Sequence, residues 1–149
     1  MKTYLSKLRE VNAVYRTVNE LNNIKITSSR DVADFARKFY PVDIEIREAM
    51  VVLFLNNANR TVGYCVNSIG GLTGTLADVR LILRDALLTQ STALILIHNH
   101  PSGTLQASES DKQLTRKVKD AAAIIDIKLL DHLILTEESY YSFADDGKI

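Results

Sequence analysis

Apolar and polar positions along the chain repeat with two different periods, and the changes of period mark the elements. The first clear signal is Ser28-Ser29-Arg30-Asp31, a capping-box pattern, followed by Val32, Phe35, Ala36 and Phe39 at helical spacing. Pro41 disfavours helical geometry at Tyr40, so this helix should stop there. Residues 49–55 are an unbroken apolar run, the pattern of a strand buried on both faces. Residues 56–60 are turn material, and residues 61–66 read as the returning strand of a β-hairpin. A loop marked by Gly70, Gly71 and Gly74 leads to Val79, Ile82, Leu83, Ala86 and Leu87, the inward stripe of a second helix with Asp78 as its N-cap. Residues 91–97 read as another buried strand. Residues 108–125 read as a third amphipathic helix with Leu114, Val118, Ala121, Ala122 and Ile125 inward. Residues 127–136 and 140–143 complete the pattern as a closing strand pair. Ahead of the first helix the pattern is ambiguous: residues 11–17 alternate loosely, as an edge strand would, while residues 4–10 could equally form a frayed helix. The expectation is a mixed α/β or α+β sandwich of helices on a sheet.

Composition narrows what such a domain does. A chain of 149 residues with 46% apolar content can bury a sizeable core in one domain. Eighteen Lys and Arg balance eighteen Asp and Glu, which argues against a dominant non-specific nucleic-acid binder while leaving room for a local basic patch. The single cysteine, Cys65, excludes an internal disulfide and any multi-cysteine zinc or iron–sulfur site. It reads as a small buried apolar residue, not a nucleophile, since no histidine neighbours it in sequence. Apolar runs such as residues 93–97 are too short to span a bilayer, and the first residues lack the apolar core of a signal peptide. A protein of the cytoplasm without membrane association is the expectation. No internal repeat or low-complexity tract is present.

The chemistry gathers at the end of the second buried strand. His98 and His100 stand two residues apart, and in an extended backbone such residues share a face with Cα atoms roughly 6.5–7 Å apart. Two imidazoles at that spacing can converge on one ion at about 2.0–2.1 Å per Zn–N bond. Pro101-Ser102-Gly103 then turns the chain, and Asp111 follows in the first turn of the third helix, where its carboxylate can supply a third ligand. Three protein ligands leave the fourth zinc position open for water, the arrangement of catalytic zinc. Zinc there lowers the pKa of its water to about 7. Amide hydrolysis also needs a base, and Glu48, at the mouth of the first buried strand, is the candidate. Each piece also has a plainer reading. Ser108-x-x-Asp111 is a capping box, and Glu48 alone could be a solvated strand end. The contiguous His98-Asn99-His100 is not the signature of the HNH nucleases, whose residues are spread over a ββα unit.

Glu48, His98-x-His100, residues 101–107, Ser108 and, three residues on, Asp111 resemble the JAMM motif of the JAB/MPN metalloprotease superfamily. The string His98-Asn99-His100-Pro101-Ser102-Gly103, with Gly74-Thr75, Leu130-Asp131-His132 and Tyr141-Ser142-Phe143, is similar to the RadC-like branch. The resemblance covers roughly residues 28–147. It implies a cytidine-deaminase-like α-β-α sandwich with a mixed central sheet, and Zn²⁺ held by His98, His100 and Asp111. It implies Glu48 as the acid/base on the zinc water, and a Ser108 hydroxyl that helps hold the oxyanion. On this reading residues 28–149 are the RadC-like JAB/MPN domain. Residues 1–27 are an N-terminal extension packing on the core, without room for the helix–hairpin–helix region of longer RadC-like proteins.

The remaining polar residues read more quietly. His132 is a hydrogen-bonded structural histidine in preference to a fourth ligand, which would close the site. Arg80 and Arg84 share an exposed helix face, as solvated charges or as a site for an anion. Lys112, Arg116, Lys117 and Lys119 make the third helix locally basic. Three functions follow. The first is a zinc-dependent hydrolase of a peptide, isopeptide or related amide. The second is a nucleic-acid-associated protein, in keeping with the DNA-repair label of RadC-like proteins and with mobile elements. The third is a non-catalytic MPN interaction module. The substrate and the oligomeric state are not readable from the residues. Specificity would come from residues 70–74, residues 104–107 or the N-terminal extension.

Overall fold

The computed structural model of the chain describes residues 21–70 and 77–149, together with Leu8, Glu10, Val11, Asn12, Val14 and Arg16. The strand or helix expected ahead of residue 18 lies largely outside the described residues, as do Gly71, Gly74 and Thr75. The elements run α1 (Ser29–Arg37), β1 (Ala49–Leu55), β2 (Thr61–Ile69), α2 (Val79–Leu88), β3 (Ala93–Asn99), α3 (Glu109–Ile124), β4 (Lys128–Leu135) and β5 (Tyr140–Ser142). The strands form one sheet in the order β2-β1-β3-β4-β5. All pairs are antiparallel except β3 with β4, which run parallel through the α3 crossover.

The two-period pattern explains the layers. β1 and β3 are buried along their whole length, so successive side chains enter two different cores. Val51, Leu53, Leu55, Ile95 and Ile97 pack under α1 with Val32, Phe35 and Ala36. Met50, Val52, Phe54, Leu94 and Leu96 pack under α2 and α3 with Ile82, Ala86, Val118 and Ala122. Each fully buried aliphatic or aromatic side chain contributes about 1.5–3 kcal/mol. The result, among the described residues, is an α/β domain of three layers, one helix on one face of a mixed sheet and two on the other.

The helix starts follow the capping residues. Ser28 and Asp31 close a reciprocal capping box, Asp78 accepts the Arg80 N–H, and Ser108 and Asp111 close a second box. Three details differ from the sequence expectation. β3 does not end at Ile97 but carries His98 and Asn99 within it, and β2 runs on to Ile69. Leu87 is 56% exposed, because α2 touches the sheet only along the narrow Ile82–Ala86 stripe and Leu87 lies 100° round from Ala86. Thr115, a polar residue, takes a buried place on α3 between Asp111 and Val118, whereas Ala121 is only half-buried.

β4 contains a register slip that matters later. Leu94 pairs with Leu129 and Ile95 pairs with Asp131, so Leu130 is an extra residue in β4. Leu129 faces the α2/α3 core, and without the slip Asp131 would follow it there. With the slip, His132 sits beside Leu96 and Ile134 beside His98, on the α3 side. Asp131 instead accepts the Ser142 hydroxyl (2.6 Å) and the N–H groups of His132 (2.7 Å) and Ala144 (3.0 Å), tying β4 to the C-terminal turn.

Candidate metal centre

The α3 face of β3 ends in His98, whose parity follows Leu94 and Leu96. His100 lies one residue past the strand end, and its backbone N–H still donates to Leu135 O at 3.0 Å. Pro101 and Ser102 form a turn, and Gly103 has φ of 79°, a left-handed conformation that glycine adopts without strain. The chain then returns to place the first turn of α3 over the strand end. Three side chains meet there. His98 Nε2 and His100 Nε2 are 3.0 Å apart, Asp111 Oδ1 is 3.1 Å from His98 Nε2, and Asp111 Oδ2 is 3.4 Å from His100 Nε2.

These distances suit a cation. Two atoms bound to a tetrahedral zinc at 2.0–2.1 Å lie about 3.3 Å apart, close to each separation here. The second nitrogen of each imidazole is already engaged. His100 Nδ1 is 2.8 Å from Thr104 O, a carbonyl that can only accept, so Nδ1 donates and Nε2 of the neutral ring is left bare. His98 Nδ1 is 2.8 Å from His132 Nε2. A carboxylate and two imidazole nitrogens thus face one another with their partners behind them, which is the donor set of a mononuclear site.

Burial works against ionised Asp111, but hydrogen bonds with His100 and His98 hold its carboxyl far below the usual range. Hydrogen bonding to Asp111 outweighs burial and lifts His100 above an ordinary imidazole, with the Thr104 carbonyl and the charges of Asp111 and Glu48 adding to it. His132 is fully enclosed, and burial, then the neighbouring His98, push it well below the ordinary imidazole value.

Asp111 fulfils both readings of its sequence pattern at once. Its Oδ2 accepts the Ser108 N–H at 2.7 Å while Oδ1 remains turned to His98. The Ser108 hydroxyl oxygen accepts the Asp111 N–H at 3.0 Å, which leaves its own proton free to donate elsewhere.

Glu48 is half-buried and immediately precedes β1. Met50 and His98 form the last pair of the β1–β3 ladder, and Glu48 and His100 each lie two residues beyond it. Its charge is felt by both His100 and Tyr40. The segment that carries it is held by Asn99, a fully buried residue that sequence reasoning passed over. Asn99 Oδ1 accepts the Ala49 N–H (2.8 Å) and the Tyr40 hydroxyl (2.9 Å), and Nδ2 donates to Ile44 O (2.8 Å) and Arg47 O (2.6 Å). An asparagine at the end of an apolar strand was the available signal, since a buried amide requires partners. Thr115 was also missed, although it stands four residues after Asp111 on the inward stripe of α3.

Other charged candidates make their contacts outside the His98, His100 and Asp111 group. Arg80 pairs with Asp78 at 3.0 Å and Arg84 with Asp85 at 2.7 Å, both on the exposed side of α2. Of the basic residues of α3, Lys112 pairs with Glu109 at 2.7 Å, and Arg116, Lys117 and Lys119 are exposed. Cys65 is half-buried on β2, and burial pushes its thiol up to about 12, far from an activated nucleophile.

A family model described as the RadC-like JAB domain matches residues 26–148. The chain belongs to the RadC-like JAB family. A UPF0758 protein of Flavobacterium johnsoniae is 49% identical over 124 residues, covering 83% of this chain and 53% of that protein. The UPF0758 protein CT0611 of Chlorobaculum tepidum is 34% identical over 145 residues, covering 94% of this chain and 64% of that protein. A UPF0758 protein of Streptococcus gordonii is 42% identical over 100 residues, covering 67% of this chain and 44% of that protein. The chain thus spans between 44% and 64% of the length of these curated relatives. Among the described residues no helix is long and apolar enough to cross a membrane.

Proposed function

We propose that this RadC-like JAB domain is a zinc-dependent hydrolase of a peptide, isopeptide or related amide bond. The observation that carries the reading is the convergence of His98 Nε2, His100 Nε2 and Asp111 on one point, with the second nitrogen of each histidine already occupied. Zinc bound there would polarise a water molecule and bring its pKa to about 7. Glu48, whose charge acts on His100, would take a proton from the attacking water and pass it to the leaving nitrogen as the C–N bond breaks. The Ser108 hydroxyl, its oxygen held by the Asp111 N–H, would donate to the carbonyl oxygen as negative charge develops on it.

Elemental analysis of purified protein tests the metal, and a panel of peptide and isopeptide substrates tests the chemistry. Near one zinc per chain is expected in the wild type, lost in His98→Ala. Glu48→Gln should keep the zinc and lose turnover. Ser108→Ala should keep the zinc, lower turnover by about 10²–10³, and cost about 1 kcal/mol of stability through the lost cap. An active Glu48→Gln variant, or a wild type that takes up no zinc on titration, would sink the reading.

A further inference from the structure

Behind His98 lies a line of buried hydrogen bonds whose direction can be worked out from one end. Thr115 Oγ1 is 2.7 Å from Asp111 O, the carbonyl one turn earlier on α3. A carbonyl only accepts, so the single hydroxyl proton of Thr115 points there. Thr115 Oγ1 is also 2.7 Å from His132 Nδ1, and with its proton committed it can only accept, so His132 Nδ1 carries a hydrogen. His132 is fully buried, its ring stacks on Phe143 at 4.8 Å and 8°, and no carboxylate hydrogen-bonds to that ring among the described residues. An imidazolium there would be an unpaired buried charge, so the ring is neutral and Nε2 is bare. That nitrogen, 2.8 Å from His98 Nδ1, accepts, and His98 therefore holds its proton on Nδ1. The Nε2 of His98, which faces Asp111 and His100, is then the nitrogen left to a metal.

We infer that Thr115 and His132 are positioning residues that fix His98 in the tautomer able to ligate metal. The proposal rests on the zinc reading of the site but assigns a role to two residues outside the ligand set. The line is closed on itself, because Asp111 supplies a carbonyl at its start and a carboxylate at its end. It also depends on the extra residue in β4. Leu130 shifts the register so that His132, in place of Asp131, faces α3. A neighbour that holds the distal nitrogen of a metal-binding histidine typically changes metal affinity by about 10–100-fold when removed.

The test uses the full chain and two readouts. Long-range ¹H–¹⁵N spectra of the metal-free wild type should show both His98 and His132 protonated on Nδ1. Thr115→Val, close to isosteric but without the hydroxyl, should shift His98 toward the Nε2–H form and weaken zinc binding about 10–100-fold in competition with a chromogenic chelator. Thr115→Ser, which keeps the hydroxyl, should restore both. A wild type in which Nδ1 of either histidine lacks its hydrogen overturns the relay, whether or not any variant folds. So does a Thr115→Val protein with wild-type zinc affinity and an unchanged His98 spectrum. A wild type that takes up no zinc would instead remove the hydrolase reading, and the spectra alone would still decide the relay.

Discussion

At the scale of single residues, Asp111 shows why two readings of one motif need not compete. A carboxylate has two oxygens: one closes the capping box with the Ser108 N–H, and the other faces His98. Asparagine separates the roles. In Asp111→Asn the side-chain carbonyl can keep the Ser108 N–H, while the amide NH₂ brings donor hydrogens to the place where a cation must sit. This variant should lose zinc yet melt, when metal-free, close to the wild type. Asp111→Ala should lose zinc and also about 1 kcal/mol of helix cap. Thermal unfolding in chelator, beside elemental analysis, distinguishes them. A zinc-replete Asp111→Asn protein would take Asp111 out of the ligand set. The sequence made both readings of this residue visible, because spacing along one chain segment is enough to pose them. Thr115 was not visible in this way. Its partner His132 lies on another element, and only the packing of α3 on β4 brings the two together.

At the scale of elements, the site depends on how strand ends are held. Glu48 lies in the stretch between α1 and β1, in no regular element, and Asn99 secures that stretch with four hydrogen bonds. Aspartate at this position can still accept from Ala49 and Tyr40 but has no N–H for the carbonyls of Ile44 and Arg47. It also places a charge where nothing is exposed. Asn99→Asp should therefore lose at least about 1–3 kcal/mol of stability. Because the candidate ligands stand at the end of β3 and on α3, it should keep zinc, while turnover falls as the stretch that carries Glu48 loosens. Denaturant unfolding, metal content and substrate turnover on one preparation check this. Full turnover would detach the clamp from the chemistry. Apolar runs and capping residues revealed the elements in order, since burial and helix ends leave local patterns. The register slip at Leu130 leaves none: Lys128-Leu129-Leu130-Asp131 carries no glycine or proline to announce an extra residue. Which face His132 takes was therefore settled by sheet pairing alone.

At the scale of the whole molecule, the candidate metal centre sits on a fold whose cores are built without it. The cores on both faces of the sheet are built from aliphatic and aromatic side chains of β1, β3 and β4 with α1, α2 and α3. The candidate ligands come only from the end of β3 and the first turn of α3. A small zinc module unfolds when chelated because its ligands replace a core. Here chelation should leave the sheet and helices intact. Zinc binding only the native state adds stability as RT ln(1 + [Zn]/Kd), about 2.7 kcal/mol at a free concentration of 100 Kd. The wild type should thus melt higher with zinc, return to a lower but still cooperative transition in chelator, and keep its far-ultraviolet circular dichroism at room temperature throughout. His98→Ala should show the lower transition in both conditions. Loss of the dichroism signal on chelation would mean that the ion holds β3 to α3, and the distinction drawn between scaffold and site would fail. An intact, cooperative metal-free state would instead fit the role inferred for Thr115 and His132, which orient His98 before any ion arrives.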